Sequence, residues 1–523
     1  MPLLCFAAAA AIAFPLALFW GRHGWFTQDD WDFLSARTAG NAGDLFRPHF
    51  QHWSTLPILL YRLIWVMVGI RSYLPYQVIL VVLHLVAASL LLALMRRSGV
   101  RPWIATLVAV VFVYFGAGAE SILVAFNITF VASLVFGLVQ LLLADHDGPL
   151  ERRDWLGLLA GFAGLLCSGV AVTMAVIVGL AVLLRRGRRG WRVAAFHSVP
   201  LGIAYVVWLR FAPKGQSAGD YQSRSPSQVI RFVLIGIQNL FARLGQVPEV
   251  GVVLALVLTG GLFVLLRARG RSPLGQYAVP IALLVGGLLF LILAGIQRSG
   301  QGGLVAGPER AREGRYVYLS AAMTLPALAV GADALVRRWR RLAYPVVAAL
   351  LVGIPGNIQQ FTKPNHFFEL SAATRASMLL IPRLPLVDQL RHSREPIPAV
   401  PFERFGPEGL TFGWLVDSAS SGRIPAPGPT SPVQLSTGVL RFFLAPTTTP
   451  PHHRCVPAPK FSTRTLERGQ TLTVERGRVF VKYAPIGGTP SAAVPLEPST
   501  VVALVGPMRL LIAPGRAGAT LCG

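Results

Sequence analysis

The sequence predicts an α-helical polytopic membrane protein with about eleven transmembrane helices, interfacial helices between them, and a C-terminal extracytoplasmic domain that is β-rich. Three observations predict it. The chain of 523 residues is 53% hydrophobic and only 14% charged, and its mean hydropathy of +0.56 lies outside the range of soluble globular domains. Apolar runs recur from the N-terminus to about residue 356, most of them close to the roughly 20 residues that a spanning helix needs. Beyond Pro355 the composition turns polar and proline-rich, with short β-prone stretches set off by Gly and Pro. The chain therefore divides into a transmembrane portion, 1–356, and a C-terminal domain, 357–523.

The first run, MPLLCFAAAAAIAFPLALFW, has no basic residues ahead of it and continues past any small-residue cleavage site, so it reads as a retained span rather than a signal peptide. With 3–20 as the first, further spans are expected at 74–95, 103–119, 124–144, 155–169, 170–184, 193–211, 250–266, 277–296, 316–335 and 342–356. Arginine clusters follow every second span: Arg96, Arg97 and Arg101; Arg152 and Arg153; the RRGRRGWR block at 185–192; Arg267, Arg269 and Arg271; and RRWRR at 337–341. All fall on one side, which the positive-inside rule makes cytoplasmic. The N-terminus is then cytoplasmic and everything after 357 extracytoplasmic. The same clustering argues against nucleic acid as a partner, because the formal charge of +25 sits in short blocks between apolar runs, as in cytoplasmic loops. Only Lys214, Lys363, Lys460 and Lys482 are lysine, and with abundant Ala, Gly and Pro this suits a GC-rich bacterial genome and a bacterial plasma membrane.

Two apolar segments stay out of the count. TLPILLYRLIWVMVGI at 55–70 is short and contains Arg62, and VIRFVLIGIQNLFARLG at 229–245 puts Arg231, Gln238, Asn239 and Arg243 mostly on one helical face. Both read as amphipathic helices at the outer interface. The pair at 155–184 is short for two spans and turns at LCSG, which suggests a tilted or recessed hairpin. Within 357–523 a helix is expected at 370–392 and strands after about 395, as in QTLTVERGRVFVKYA and VVALVGPMRLLIA. Cys5 and Cys167 sit in apolar segments, whereas Cys455 and Cys522 flank the β-prone part, where an oxidising compartment favours a disulfide between them.

The chemistry centres on TQDDWDFL at 27–34, in the first outer loop. Trp25, Trp31 and Phe33 hold this segment at the membrane surface, where aromatic residues prefer to sit, and a partly desolvated Asp29 or Asp30 gains basicity enough to take a proton from a sugar hydroxyl. Either can react while the other orients it or caps the next helix. Asp32 reads as a helix N-terminal residue interacting with the dipole.

The early DD pair, the following PHFQHWSTLPILLYRLIWVMVG, the short hairpin AGFAGLLCSGVAV and the EGRYVYLSAAMTLPALA entry at 313–329 together resemble the GT-C superfamily of integral-membrane glycosyltransferases over residues 1–356. Many members have a lysine near the hairpin turn, where this chain has Ser168 and Gly169. The resemblance implies a first-loop acidic residue as base, a polyprenyl-phosphate sugar as donor, and inverting transfer to a glycan, lipid or protein of the envelope. It gives Arg315 and Tyr316 the donor phosphate. Arg298, Arg310 and Arg312 lie in the same loop, and their guanidinium forks suit phosphate oxygens; for Arg310 and Arg312 anionic lipid headgroups are an equal alternative.

Glu120, in the next outer loop, either binds an acceptor hydroxyl or caps a helix. His49 and His52 contact phosphate or acceptor, or are plain interfacial polar residues. Asp29, Asp30 and Glu120 offer oxygen ligands for a divalent metal, but nothing enforces a ligand geometry and no cofactor is required. Gly-rich nucleotide loops and zinc-type His/Cys spacings are absent from the sequence. Two other classes compete: a transporter or flippase of lipid-linked sugars, which calls for inverted repeats and ionisable groups at mid-membrane, and a non-catalytic envelope scaffold indifferent to its first-loop aspartates.

Overall fold

A computed structural model describes residues 1–26, 28–213, 222–223, 225–267, 275–300, 307–363, 375, 378–379, 410–426 and the strand segments between 444 and 522. The chain divides into two compact units. The first comprises Met1–Arg22, Ala39–Leu60 and Leu74–Lys363; the second comprises His23–Thr38, Tyr61–Tyr73 and Pro364–Gly523. The division at 363 falls near the composition change at 356, but the segments 23–38 and 61–73 group with the chain beyond Lys363 rather than with the spans on either side of them.

Among the described residues of the first unit, nine helical stretches are long and apolar enough to cross a membrane. This is the architecture of a multi-pass helical membrane protein. One stretch, Val170–Phe211, runs for 42 residues and contains two expected spans, on either side of a 3-10 turn at Gly187–Gly190. The expected span at 155–169 is a helix of 14 residues, Arg152–Leu165, too short at about 1.5 Å per residue to cross a core of about 30 Å. The helices Thr55–Val68 and Pro226–Gly245 are not among the nine.

The arginine-rich turns gather at one end of the first unit. Arg97 donates to Leu142 O at 2.7 Å, Arg186 to Gly148 O at 2.7 Å and Arg337 to Gly99 O at 2.7 Å, while Arg185 pairs with Asp145 at 2.5 Å and Asp147 at 2.9 Å. Just beneath them Asp154, wholly buried, accepts from Nε2 of His146 and Nε2 of His197, both at 3.0 Å, and from the Glu151 N–H at 2.7 Å. A buried carboxylate needs such donors to offset its lost hydration.

Gly314–Arg338 is the most enclosed of the spans. It packs against Pro248–Arg267 so tightly that a Cβ on Gly261 would meet Gly331 O at 2.2 Å, the small-residue contact that lets helices associate in lipid. His84, in the middle of Leu74–Arg97, is bonded on both ring nitrogens: Nδ1 lies 3.0 Å from the Tyr318 hydroxyl and Nε2 3.1 Å from Val113 O. Asn357 joins three segments, accepting from Ala117 N at 3.1 Å and donating to Arg243 O at 3.0 Å and Gly353 O at 2.9 Å.

Among the described residues of the second unit, nine short strands between Leu444 and Cys522 pair antiparallel into a five-stranded and a four-stranded sheet. The backbone register sets Cys455 directly opposite Cys522, at a Cα spacing compatible with a disulfide; their side chains lie outside the described part. Most of the helix expected at 370–392 also lies outside the described residues.

Candidate functional site

The aspartate segment belongs to the second unit. Gln28–Trp31 is a single α-helical turn that widens into a π-helical turn, Asp32–Ala36, an irregularity that often marks functional positions. Alternation of charge and aromatic side chains in DDWDF sends neighbouring residues to different surroundings. Asp30 is completely buried and accepts a hydrogen bond from the Tyr61 hydroxyl at 2.6 Å. Asp29, next to it, is only half-buried. Asp32 is buried against Arg37, whose Nε and second guanidinium nitrogen lie 2.8 and 2.7 Å from its Oδ2. Asp32 is the first residue of the π-helical turn, the N-terminal position expected of it, and it also pairs with a residue five positions on. Phe33 packs edge-on against Tyr61 at 5.6 Å, and Arg62 donates to Leu34 O at 2.5 Å. The 61–73 segment therefore grips the aspartate turn from both sides of the pair.

The basic and aromatic candidates belong to the first unit, at the end of Gly314–Arg338 away from the arginine-rich turns. Glu313 lies just before the helix and gives no side-chain cap. The Glu120 carboxylate lies at this end of the helix, 3.7 Å from the Arg315 guanidinium. A carboxylate at a helix N-terminus is favoured by the helix dipole. Arg315 is also paired with Glu313 and leans over the Tyr316 ring at 5.4 Å. Tyr316 is buried against Phe232, at 5.4 Å. Arg298 lies within electrostatic reach of Tyr316, Arg315 and Arg310 and sits 5.9 Å from the Phe50 ring. Arg310 is buried. Arg312 stays out of this group: it is exposed and bonded to Glu309 at 2.8 Å, which Arg231 also approaches at 3.3 Å.

His49 and His52 form the ends of a two-residue hairpin, with His49 N to His52 O at 3.0 Å and His52 N to His49 O at 2.9 Å. Its first central residue, Phe50, has φ +49°, a conformation that costs a bulky side chain energy and tends to survive where function needs it. The His52 Nδ1 accepts from Gly169 N at 3.3 Å and lies 3.5 Å from the Ser168 hydroxyl. The short hairpin's turn thus meets the histidine. Burial, then the charge of Arg298, the neighbouring His49 and the charge of Arg315, push the His52 pKa down to about 3. The ring is neutral, and because Nδ1 accepts, the proton is on Nε2.

The structure thus brings Arg298, Arg310, Arg315, Tyr316, His49 and His52 to one end of the first unit, with Glu120 beside Arg315; the guanidinium groups there suit an anion. Among the described residues no three His, Cys, Asp or Glu side chains converge so as to hold a metal ion. Sequence reading passed over Tyr61, Arg37, Glu313 and Phe50. An Arg five positions after a buried Asp is a weak signal, and nothing in HFQH announces a positive φ. Comparison with family models, curated proteins and solved structures returns no match for this chain.

Proposed function

We propose that this protein is an integral-membrane glycosyltransferase of GT-C type that moves one sugar from a polyprenyl-phosphate donor to a glycan, lipid or protein acceptor of the bacterial envelope. The observation that supports this most is the division of labour in the aspartate pair. Asp30 is buried and tied to Tyr61, while Asp29 on the same turn keeps part of its surface accessible. A general base needs that combination of fixed backbone and reachable carboxylate. Asp29 takes the proton of the acceptor hydroxyl, the hydroxyl oxygen attacks the anomeric carbon from the side opposite the phosphate, and the bonding pair leaves with the polyprenyl phosphate. Arg298, Arg310 and Arg315, with the Tyr316 hydroxyl, are assigned to the leaving phosphate, where fixed cations act on developing charge. Arg312, exposed and paired with Glu309, is assigned to lipid headgroups.

In this reading the arginine-rich turns face the cytoplasm, the Arg315 end faces outward, and the strands after Leu444 belong to an extracytoplasmic domain closed by a Cys455–Cys522 bond. The reading requires no cofactor. The transporter alternative calls on ionisable groups at mid-membrane, and His84, such a group among the described residues, has both nitrogens engaged.

The test is transfer by purified protein in lipid nanodiscs, offered radiolabelled polyprenyl-phosphate sugars or nucleotide sugars together with an envelope fraction. Label should move from a polyprenyl-phosphate donor with release of polyprenyl phosphate, and not from nucleotide sugars. Folded protein that moves label from no lipid-linked donor contradicts the proposal.

A further inference from the structure

The second unit contains an aromatic chain that runs from the aspartate turn to a helix late in the sequence, Phe412–Ser420. Trp31, immediately after Asp30, is buried and meets the Trp414 ring edge-on at 6.4 Å. Trp414 stacks on Trp65 at 4.9 Å with 28° between the planes. On the other side of Trp31, Phe26 lies 5.8 Å away and Tyr73 lies 5.2 Å from Phe26. These separations are those of favourable aromatic pairs. Trp414 is therefore the shared neighbour of the aspartate turn and of the helix that supplies Tyr61.

A second set of contacts fixes the same helix at its far end. Ile70 N donates to Arg423 O at 3.0 Å, and the Arg71 guanidinium donates to Gly422 O, its Nε at 2.8 Å. Gly69 has φ +64°, and a Cβ there would meet Arg423 O at 2.3 Å. Only glycine meets both demands without strain. The Thr411 hydroxyl accepts from Trp414 N at 3.1 Å, which anchors the start of the helix, and Leu415 is wholly buried. The late segment 411–423 thus holds 61–73 at its C-terminal end and Trp31 at its aromatic face.

We infer that Trp414 is a positioning residue for Asp29, and that the part of the chain beyond the membrane helices is a working component of the site because its 411–423 segment sets the aspartate turn in place. This deepens the glycosyltransferase reading and rests on it for the role of Asp29; the mechanical part rests on the contacts alone. Trp414 touches no reacting atom in this account. It acts through Trp31, whose backbone carries the aspartate pair, so its loss displaces the base without removing it. Misplacement of a catalytic group by about 1 Å can cost about 100-fold in rate.

The test is hydrogen–deuterium exchange of the full-length protein in nanodiscs, read for peptides of 26–38 and of 314–338, with transfer kinetics on the same samples. Trp414→Ala and Gly69→Ala should each speed exchange in 26–38 and leave 314–338 unchanged. The transfer kcat should fall about 100-fold with donor KM nearly constant, and Trp414→Phe, which keeps a ring between Trp31 and Trp65, should restore most of it. Unchanged exchange in 26–38 overturns the inference whatever the activity, and acceleration spread equally through the spans overturns it by making Trp414 a general folding determinant. Selective acceleration with no transfer by the wild type supports the mechanical link while the glycosyltransferase reading fails.

Discussion

The helix Gly314–Arg338 carries arginines at both ends and uses them differently. At one end Arg337, about half exposed, bonds Asp333 one turn back at 2.6 Å and the Gly99 carbonyl at 2.7 Å, and Arg101 approaches the same Asp333 at 3.4 Å. These guanidinium groups tie turns together with their charge still in water, where it is screened and does little at a distance. At the other end Arg315 lies between Glu120 and Glu313, with buried Arg310 and with Arg298 nearby. Charge withdrawn from water is screened less and acts more strongly on an anion that enters. The same residue type is a staple at one end of the helix and, in the proposed function, holds an anion at the other.

The sharpest way to break this comparison is to remove one arginine from each end. Arg298→Ala or Arg310→Ala should lower the rate of sugar transfer by about 100- to 1,000-fold, as losing a donor to developing charge does elsewhere, whereas Arg337→Ala should leave turnover unchanged. Equal losses at both ends, measured at matched folded yield, would erase the distinction. At the arginine-rich end the large effects should be on stability. Asp154→Ala leaves two buried imidazoles without their acceptor and should cost about 3 kcal/mol, seen as a lower unfolding midpoint in detergent with transfer unaffected below it.

Effects shrink for groups that support the site without bearing charge. His52→Ala removes the acceptor of the Gly169 N–H and should reduce transfer about tenfold, while His52→Gln, which keeps an acceptor, should recover most of it. With its pKa near 3, His52 stays neutral from about pH 5 to about pH 8, unlike an ordinary histidine. The pH–rate profile of His52→Gln should therefore overlay that of the wild type in this range; loss of an inflection near neutrality would show that His52 titrates there. The smallest effect is the stability cost of Arg337→Ala, about 1 kcal/mol or less, from denaturation curves.

How much could be read from the sequence depends on how local each decision is. A run such as 277–296 becomes a spanning helix because its own composition leaves no alternative, and Ala278–Arg298 is there. The 155–169 run has the same composition but too few residues, and its fate as the short arm of a hairpin depends on its neighbours. The site depended on distant pairings that no local pattern encodes. Glu120 meets Arg315 at the start of a helix nearly two hundred residues on, Tyr61 reaches back to Asp30, and His52 meets a turn at Ser168–Gly169. Residue types singled out Asp29, Asp30 and Glu120 as candidates; only the fold separated the fully buried Asp30 from the half-buried Asp29 and set Glu120 beside Arg315. His84, in the middle of a span, has its polar cost met by Tyr318 and Val113, both far from it in sequence.

The central claim is tested most directly by the transfer rates of Asp29→Asn, Asp30→Asn and Tyr61→Phe at equal folded yield, with a polyprenyl-phosphate sugar that the wild type accepts. Loss of a general base costs about 100- to 10,000-fold, and the account predicts that loss for Asp29→Asn, with a smaller deficit for Asp30→Asn that Tyr61→Phe reproduces. Full activity in Asp29→Asn would contradict it.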